Sequence, residues 1–281
     1  MDMYLFRFSL KERRQADAFE RLDTDGKPFS RERWIRDFFS QRREFSHFGS
    51  TFVFVPEPMG EKYLPTRITS GWIARAKFLP EVTSPDEGLQ PTLHESWRAA
   101  LILIDPTDHK DGQKIAFEQS NDVGKALAVL RSLVRSMNTQ GDAEPFFAEV
   151  FAIVQEASFW VFAKLHGYQI KTLSFDVAVP NMFDGPDDFT EELKKLRDKN
   201  NAARVRTTLT SDTSLDTTAK NIAPIIDYTE KGAGTVRARA NDGAHYNSQD
   251  HAKRVTIDAE HTDKAGDGFW SSLSNMLGRI F

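Results

Sequence analysis

Two segments that read as strands carry arginines two residues apart: Arg204 and Arg206, then Arg237 and Arg239. On an extended backbone, residues two apart share a face. Each pair therefore sets two guanidinium groups side by side, with Val205 and Ala238 turned the other way. Forked cations so placed suit phosphate oxygens, which fix a protein on a nucleic acid without reading its sequence. Just before the first pair stand Lys194, Lys195, Arg197 and Lys199. They fall on a helix expected from Asp187 or Asp188 to about Asn200, with Phe189, Leu193 and Leu196 inward. A second reading fits the same residues: the cations solvate an exposed face and pair with Glu191, Glu192 and Asp198.

The C-terminal peptide has a different chemistry. Phe269, Trp270, Leu273, Met276, Leu277, Ile280 and Phe281 fall on one helical face, opposite Ser271, Ser272, Ser274, Asn275 and Gly278. So short a helix is marginal alone and needs a surface to cover its apolar side. That surface is its own domain, a second copy, a protein or membrane-protein partner, or a lipid interface.

Catalytic patterns are hard to find. The seven histidines form no His-x-x-x-His or His-Glu-x-x-His pair. His245 and His251, near Asp242, Asp250 and Asp258, are a weak candidate metal loop. Residues 105–112, with Asp105 and Asp108, are a weak candidate nuclease cluster, but they lack the register of a calcium loop and read better as a turn between strands. Gly232-x-Gly234 precedes a strand, whereas a dinucleotide fingerprint opens a helix. Neither a phosphate-binding Gly-Lys-Ser/Thr loop nor a Gly-x-Ser-x-Gly elbow occurs. No cofactor is expected. The basic N-terminal helix (Arg31, Arg33, Arg36, Arg42 and Arg43) interleaves cations with Trp34, Phe38, Phe39 and Phe45, a composition that can stack on single strands. Their helical spacing points instead to a core face.

The elements that must position these residues read as follows. Strands are expected at 4–9, 52–55, 71–79, 97–104, 114–117, 169–179, 204–209, 235–240 and 254–258. Helices are expected at 31–43, capped by Ser30, and at 123–137. Residues 80–95, with three prolines and several acids, read as a long loop. Residues 148–164 fit either element, and Phe159–Trp160–Val161–Phe162 favours strand at the end. A helix is expected from Ser214 or Asp216 to about Tyr228. The class is α+β: a β-rich α+β region over 1–166, a smaller β-α-β-α-β-β module over 167–258, a linker over 259–268 and the amphipathic helix over 269–281.

Composition bounds the function classes. The chain has 281 residues, 40% hydrophobic and 28% charged, which is ordinary for a folded protein. It has no cysteine, which rules out thiolate zinc sites, iron–sulfur clusters, thiol nucleophiles and disulfides, and fits the cytoplasm. The N-terminus lacks the pattern of a secretory signal, and no apolar run reaches the ~20 residues that span a bilayer. With a net charge of −4, any nucleic-acid binding must use a local basic patch.

Residues 169–258 resemble the C-terminal part of the RexA family of lambdoid phage-exclusion proteins. The shared features are a strand ending Val177-Ala178-Val179-Pro180, the helix segment Leu193-Lys194-Lys195-Leu196, and Val236-Arg237-Ala238-Arg239 before Asn241-Asp242-Gly243. Gly71-Trp72-Ile73-Ala74-Arg75 is similar to an earlier strand of that family, and the DNA-binding subunits of Kiwa-type defence systems are a looser comparison. The resemblance implies a non-enzymatic, DNA-binding, self-associating antiphage protein that signals to a membrane partner, with Lys194, Lys195, Arg237 and Arg239 carrying over as basic positions. The alternatives are a protein-interaction subunit tethered by its C-terminal helix, and a metal-dependent nuclease using Asp105, Asp108 or the His245/His251 loop.

Overall fold

The structure is a computed structural model and describes residues 1–13, 30–109, 112–139, 145–178, 199, 204–219, 222–257 and 266–281. Its strands are β1 (Asp2–Glu12), β2 (Arg43–His47), β3 (Ser50–Pro56), β4 (Thr69–Val82), β5 (Pro91–Asp105), β6 (Gln113–Glu118), β7 (Phe146–Ala152), β8 (Ile170–Ala178), β9 (Arg204–Thr210), β10 (Gly234–Ala240), β11 (His245–Asn247) and β12 (Arg254–Thr256). Its helices are α1 (Arg31–Phe39), α2 (Pro58–Tyr63), α3 (Ala126–Asn138), α4 (Ser158–Leu165), α5 (Ala223–Tyr228) and α6 (Asp267–Ile280). The class is α+β.

Eight strands form one antiparallel sheet in the order β12-β1-β6-β5-β4-β3-β2, with β7 pairing β1 beyond β12. Both faces of this sheet are covered. Phe6, Phe8, Ile102 and Ile104 face α1 and α3, where Trp34, Ile35, Phe38, Phe39, Leu130 and Leu133 meet them. The intervening residues Met3, Leu5, Leu101 and Leu103 face the other way, onto Phe269, Trp270 and Leu273 of α6. Burial on both sides explains why residues 100–104 read as an unbroken apolar run rather than an alternation. Ser30 caps α1 as its sequence expects, its hydroxyl accepting from the Arg33 amide.

The second sheet has four strands, β11-β10-β8-β9. One face packs Leu173, Phe175, Val177, Val236 and Ala238 against Phe159 and Ala163 of α4 and Ile226 and Tyr228 of α5. Its other face is not covered by a helix among the described residues.

The structure revises five readings of the sequence. Residues 159–162 are helical, because Phe159 and Ala163, one turn apart, both reach the second sheet's core. Half of residues 80–95 is strand: β4 and β5 pair as far as Val82↔Pro91, and residues 83–90 form the connection. The helix expected from Ser214 or Asp216 begins only at Ala223, where Pro224 in the first turn sets the start. The strand at 254–256 does not close the smaller module; it pairs with Asp2, Met3 and Tyr4 of β1. The chain thus returns to the first sheet before α6, and α4, assigned by sequence to residues 1–166, packs with the second.

The fifth revision concerns the tail. Phe269, Trp270, Leu273, Leu277 and Ile280 are buried, and Met276 and Phe281 pack beside them on the protein's own sheet. Of the surfaces the sequence leaves open for these seven residues, the chain's own domain is the one they cover. Among the described residues, no helix is long and apolar enough to cross a membrane.

Candidate nucleic-acid interface

The uncovered face of the second sheet gathers both arginine pairs. Val236, Ala238 and Ala240 point into the core, so Arg237 and Arg239 project outward. On β9, Arg204 and Arg206 project the same way. Strand β8 lies between them and contributes Thr172, Ser174 and Asp176 to the same face. The pairing sets Arg237 opposite Ser174 and Ser174 opposite Thr208. Arg239 similarly faces Thr172, and Thr172 faces Thr210. On the far side, Arg237 lies opposite Asn247 and Arg239 opposite His245. Two parallel rows of arginine and hydroxyl groups result.

The two arginine pairs differ in one respect. Arg204 Nη2 lies 2.7 Å and Arg206 Nη2 2.6 Å from the Asp176 carboxylate. Arg204 also reaches Glu149 at 2.7 Å and lies over the Phe151 ring. Burial pushes the Asp176 carboxyl up, but the hydrogen bond from Arg206 and the charge of Arg204 outweigh it and hold the group below the ordinary aspartate range. Arg237 and Arg239 have no ion pair or hydrogen bond from their side chains among the described residues.

A fifth arginine joins them, one the sequence does not single out. Arg131 on α3 donates to Gln249 Oε1 at 3.2 Å. Burial and the neighbouring charges of Arg237 and Arg204 lower its pKa, so three like charges meet where α3 approaches the second sheet. Gln249 is the device that brings them together. Its Oε1 also accepts from the Ala152 amide of β7, and its Nε2 donates to the Gly234 carbonyl of β10. This buried side chain therefore joins both sheets and α3. Arg131 sits 73 residues before Arg204, and nothing in the intervening sequence links them; only the packing does.

Of the expected lysine helix, Lys194, Lys195 and Arg197 lie outside the described residues, and Lys199 is helical and exposed. The outward residues of β8 were legible: Thr172, Ser174 and Asp176 alternate with Leu173, Phe175 and Val177.

The candidate catalytic residues are occupied in other ways. Asp105 is fully buried; its carboxylate takes Arg67 at 3.1 Å and His109 at 2.9 Å, and accepts from the Thr107 hydroxyl at 2.5 Å. Thr107 and Asp105 both approach Nε2 of His109. A nucleophile–base–acid relay needs the two ring nitrogens to face different partners, so this cluster ties down a turn. Asp108 accepts from Gln113. His251 and His245 are both exposed, His251 stacked on the Tyr246 ring and His245 opposite Arg239 across the β10–β11 pair. Among the described residues, no group of three or more His, Asp or Glu could hold a metal ion.

Compared with known protein families, with curated proteins and with solved structures, the chain matches none.

Proposed function

We propose that this protein binds nucleic acid, DNA above all, through the outer face of the four-stranded sheet, and acts without catalysis in antiphage defence or prophage exclusion in the cytoplasm. The observation that carries the binding is the row of Arg237 and Arg239, flanked by Ser174, Thr172, Thr208 and Thr210, with Arg131 and Arg204 beside it. Arg237 and Arg239, which take no carboxylate among the described residues, are ready for an external anion, and side-chain hydroxyls like those beside them are common phosphate contacts. The chain carries a net charge of −4, so binding is confined to this face. The defence role and signalling to a membrane partner rest on the resemblance to the RexA family.

Fluorescence anisotropy with labelled duplex, single-stranded DNA and RNA tests the reading. Affinity should fall steeply with salt, since each phosphate neutralised contributes about −0.9 to the slope of log K against log salt on duplex DNA. Arg237→Glu/Arg239→Glu should abolish binding at 100 mM salt, while Asp216→Asn, in a loop, should not change it. Absence of binding at low salt, or an unchanged affinity in the double variant, refutes the proposal.

A further inference from the structure

An open recess of about 660 Å³ lies where the N-terminal half of α3 meets β1 and the segment between β11 and β12. Its size falls in the range of small-ligand sites. The floor is apolar. Tyr4 lies on the same side of β1 as Phe6, and Tyr4, Leu127 and Ala252 are half-buried against the main core. Ala128, also half-buried, is too small to fill the space. The rim is polar. Gln119 and Asn121, in the β6–α3 loop, are exposed, and their carboxamides make no hydrogen bond among the described residues. A carboxamide both donates and accepts, as the edge of a nucleobase does. Lys125 and Arg131 also line the recess, about 9 Å apart along α3. Neither has an ion pair among the described residues.

What fills the recess follows from these parts and from where it opens. A lone phosphate would leave most of the volume empty. An aromatic floor suits a base, carboxamides suit its edge, and the two cations suit its phosphate. Asp250, in the same lining, accepts from Asn247 at 2.9 Å and can accept as well from a sugar hydroxyl or a base amine. Arg131 is shared with the arginine face, since the charges of Arg204 and Arg237 act on it. Gln249 lines the recess too, holding Arg131 at 3.2 Å and the Gly234 carbonyl of β10 at 2.9 Å. A strand on the outer face of the second sheet therefore has the recess beside it. In a continuous duplex the bases are paired and stacked, so only an unpaired nucleotide can enter.

We propose that this recess receives one unpaired nucleotide of the strand held by the arginine face, its phosphate at Lys125 and Arg131 and its base on Tyr4, with the base edge toward Gln119 and Asn121. The proposal rests on the nucleic-acid reading above and narrows it to strands with a free end or an unpaired position. Anisotropy of the full chain compares a blunt duplex with the same duplex bearing one unpaired terminal nucleotide. Wild type should prefer the second at least tenfold. Ala128→Trp, which fills the space, should bring the second duplex to the affinity of the blunt one, and Asn121→Ala, in an exposed loop, should cut the preference at least threefold. A 2-aminopurine at the unpaired position should change its emission on binding wild type and not on binding Ala128→Trp. Equal affinity of wild type for the two duplexes, or a preference that both variants keep, overturns the proposal and leaves the arginine face standing. A free deoxynucleoside monophosphate that binds while the duplexes are not distinguished overturns it too, because the ligand is then a small molecule. Absence of any nucleic-acid binding at low salt overturns both readings.

Discussion

Arg206 meets Asp176 across the β9–β8 pair, Nη2 to Oδ2 at 2.6 Å. This carboxylate is set among the outward arginines, on an inner strand, and it divides their charge: Arg204 and Arg206 are partly neutralised, whereas Arg237 and Arg239 are not.

Asp176→Asn should therefore strengthen nucleic-acid binding about 3- to 10-fold near 100 mM salt and steepen the salt slope by up to about one unit. An anisotropy titration of the variant against wild type reads both quantities. Weaker binding would mean that Asp176 serves to position the arginines rather than to restrain them.

The same residue links stability to pH. Its folded pKa is depressed, so its contribution is present above the unfolded aspartate value of about 3.9 and is lost as pH falls through the lower folded value. With Arg206 largely exposed, that contribution is about 1 kcal/mol. Urea melts of wild type and Asp176→Asn should differ at pH 6 and converge near pH 2.

Glu230 behaves in the opposite sense. Burial raises its pKa against the hydrogen bonds from the Phe159 and Ala157 amides, with Asp227 and Glu156 pushing further upward. A carboxyl raised in the folded state stabilises below its unfolded pKa and loses that contribution as pH rises through the folded value. Glu230→Gln should thus raise the melting temperature at pH 8 and leave it nearly unchanged at pH 4. Equal effects at both pH values would place the cause elsewhere.

Trp270 is fully buried against Trp72 and the large sheet, and its Nε1 has no hydrogen-bond partner among the described residues. Trp270→Ala should cost about 3–5 kcal/mol. Trp270→Phe, which forfeits no hydrogen bond, should cost less than ~2 kcal/mol. Chemical denaturation separates these values. A tail held for a partner instead would tolerate both changes.

Gly232 has φ +83°, and a β-carbon there would lie 2.7 Å from Cβ of buried Arg7. Gly232→Ala combines left-handed strain with a backbone-level clash and should destabilise by about 2–4 kcal/mol. Because residues 229–233 join α5 to β10, amide exchange should rise first in the second sheet. An Ala variant with wild-type stability would show that the segment can move away from Arg7.

Several features are legible in the residue order because they depend on local periodicity. The arginine pairs are two apart, and a strand puts each pair on one face in whatever sheet it joins. The same rule places the outward Thr172, Ser174 and Asp176. Ser30 caps its helix through an amide three residues on. Phe269 to Ile280 form one stripe, which states that the stripe is covered but not by what.

Contacts distant in sequence are decided only by the tertiary structure. Residues 159–162 have strand-like composition, yet the second sheet requires an apolar stripe above it, and a helix supplies Phe159 and Ala163 one turn apart. β12 reads as the end of a module but finds its hydrogen bonds on β1, some 250 residues away. The tail lies on β1 and β5 because Met3, Leu5, Leu101 and Leu103, on the face away from α1 and α3, would otherwise be bare. Arg131 stands beside Arg204 and Arg237 because Gln249 joins three elements. Periodicity fixes which side chains share a face, while the identity of the facing surface depends on burying all apolar faces together.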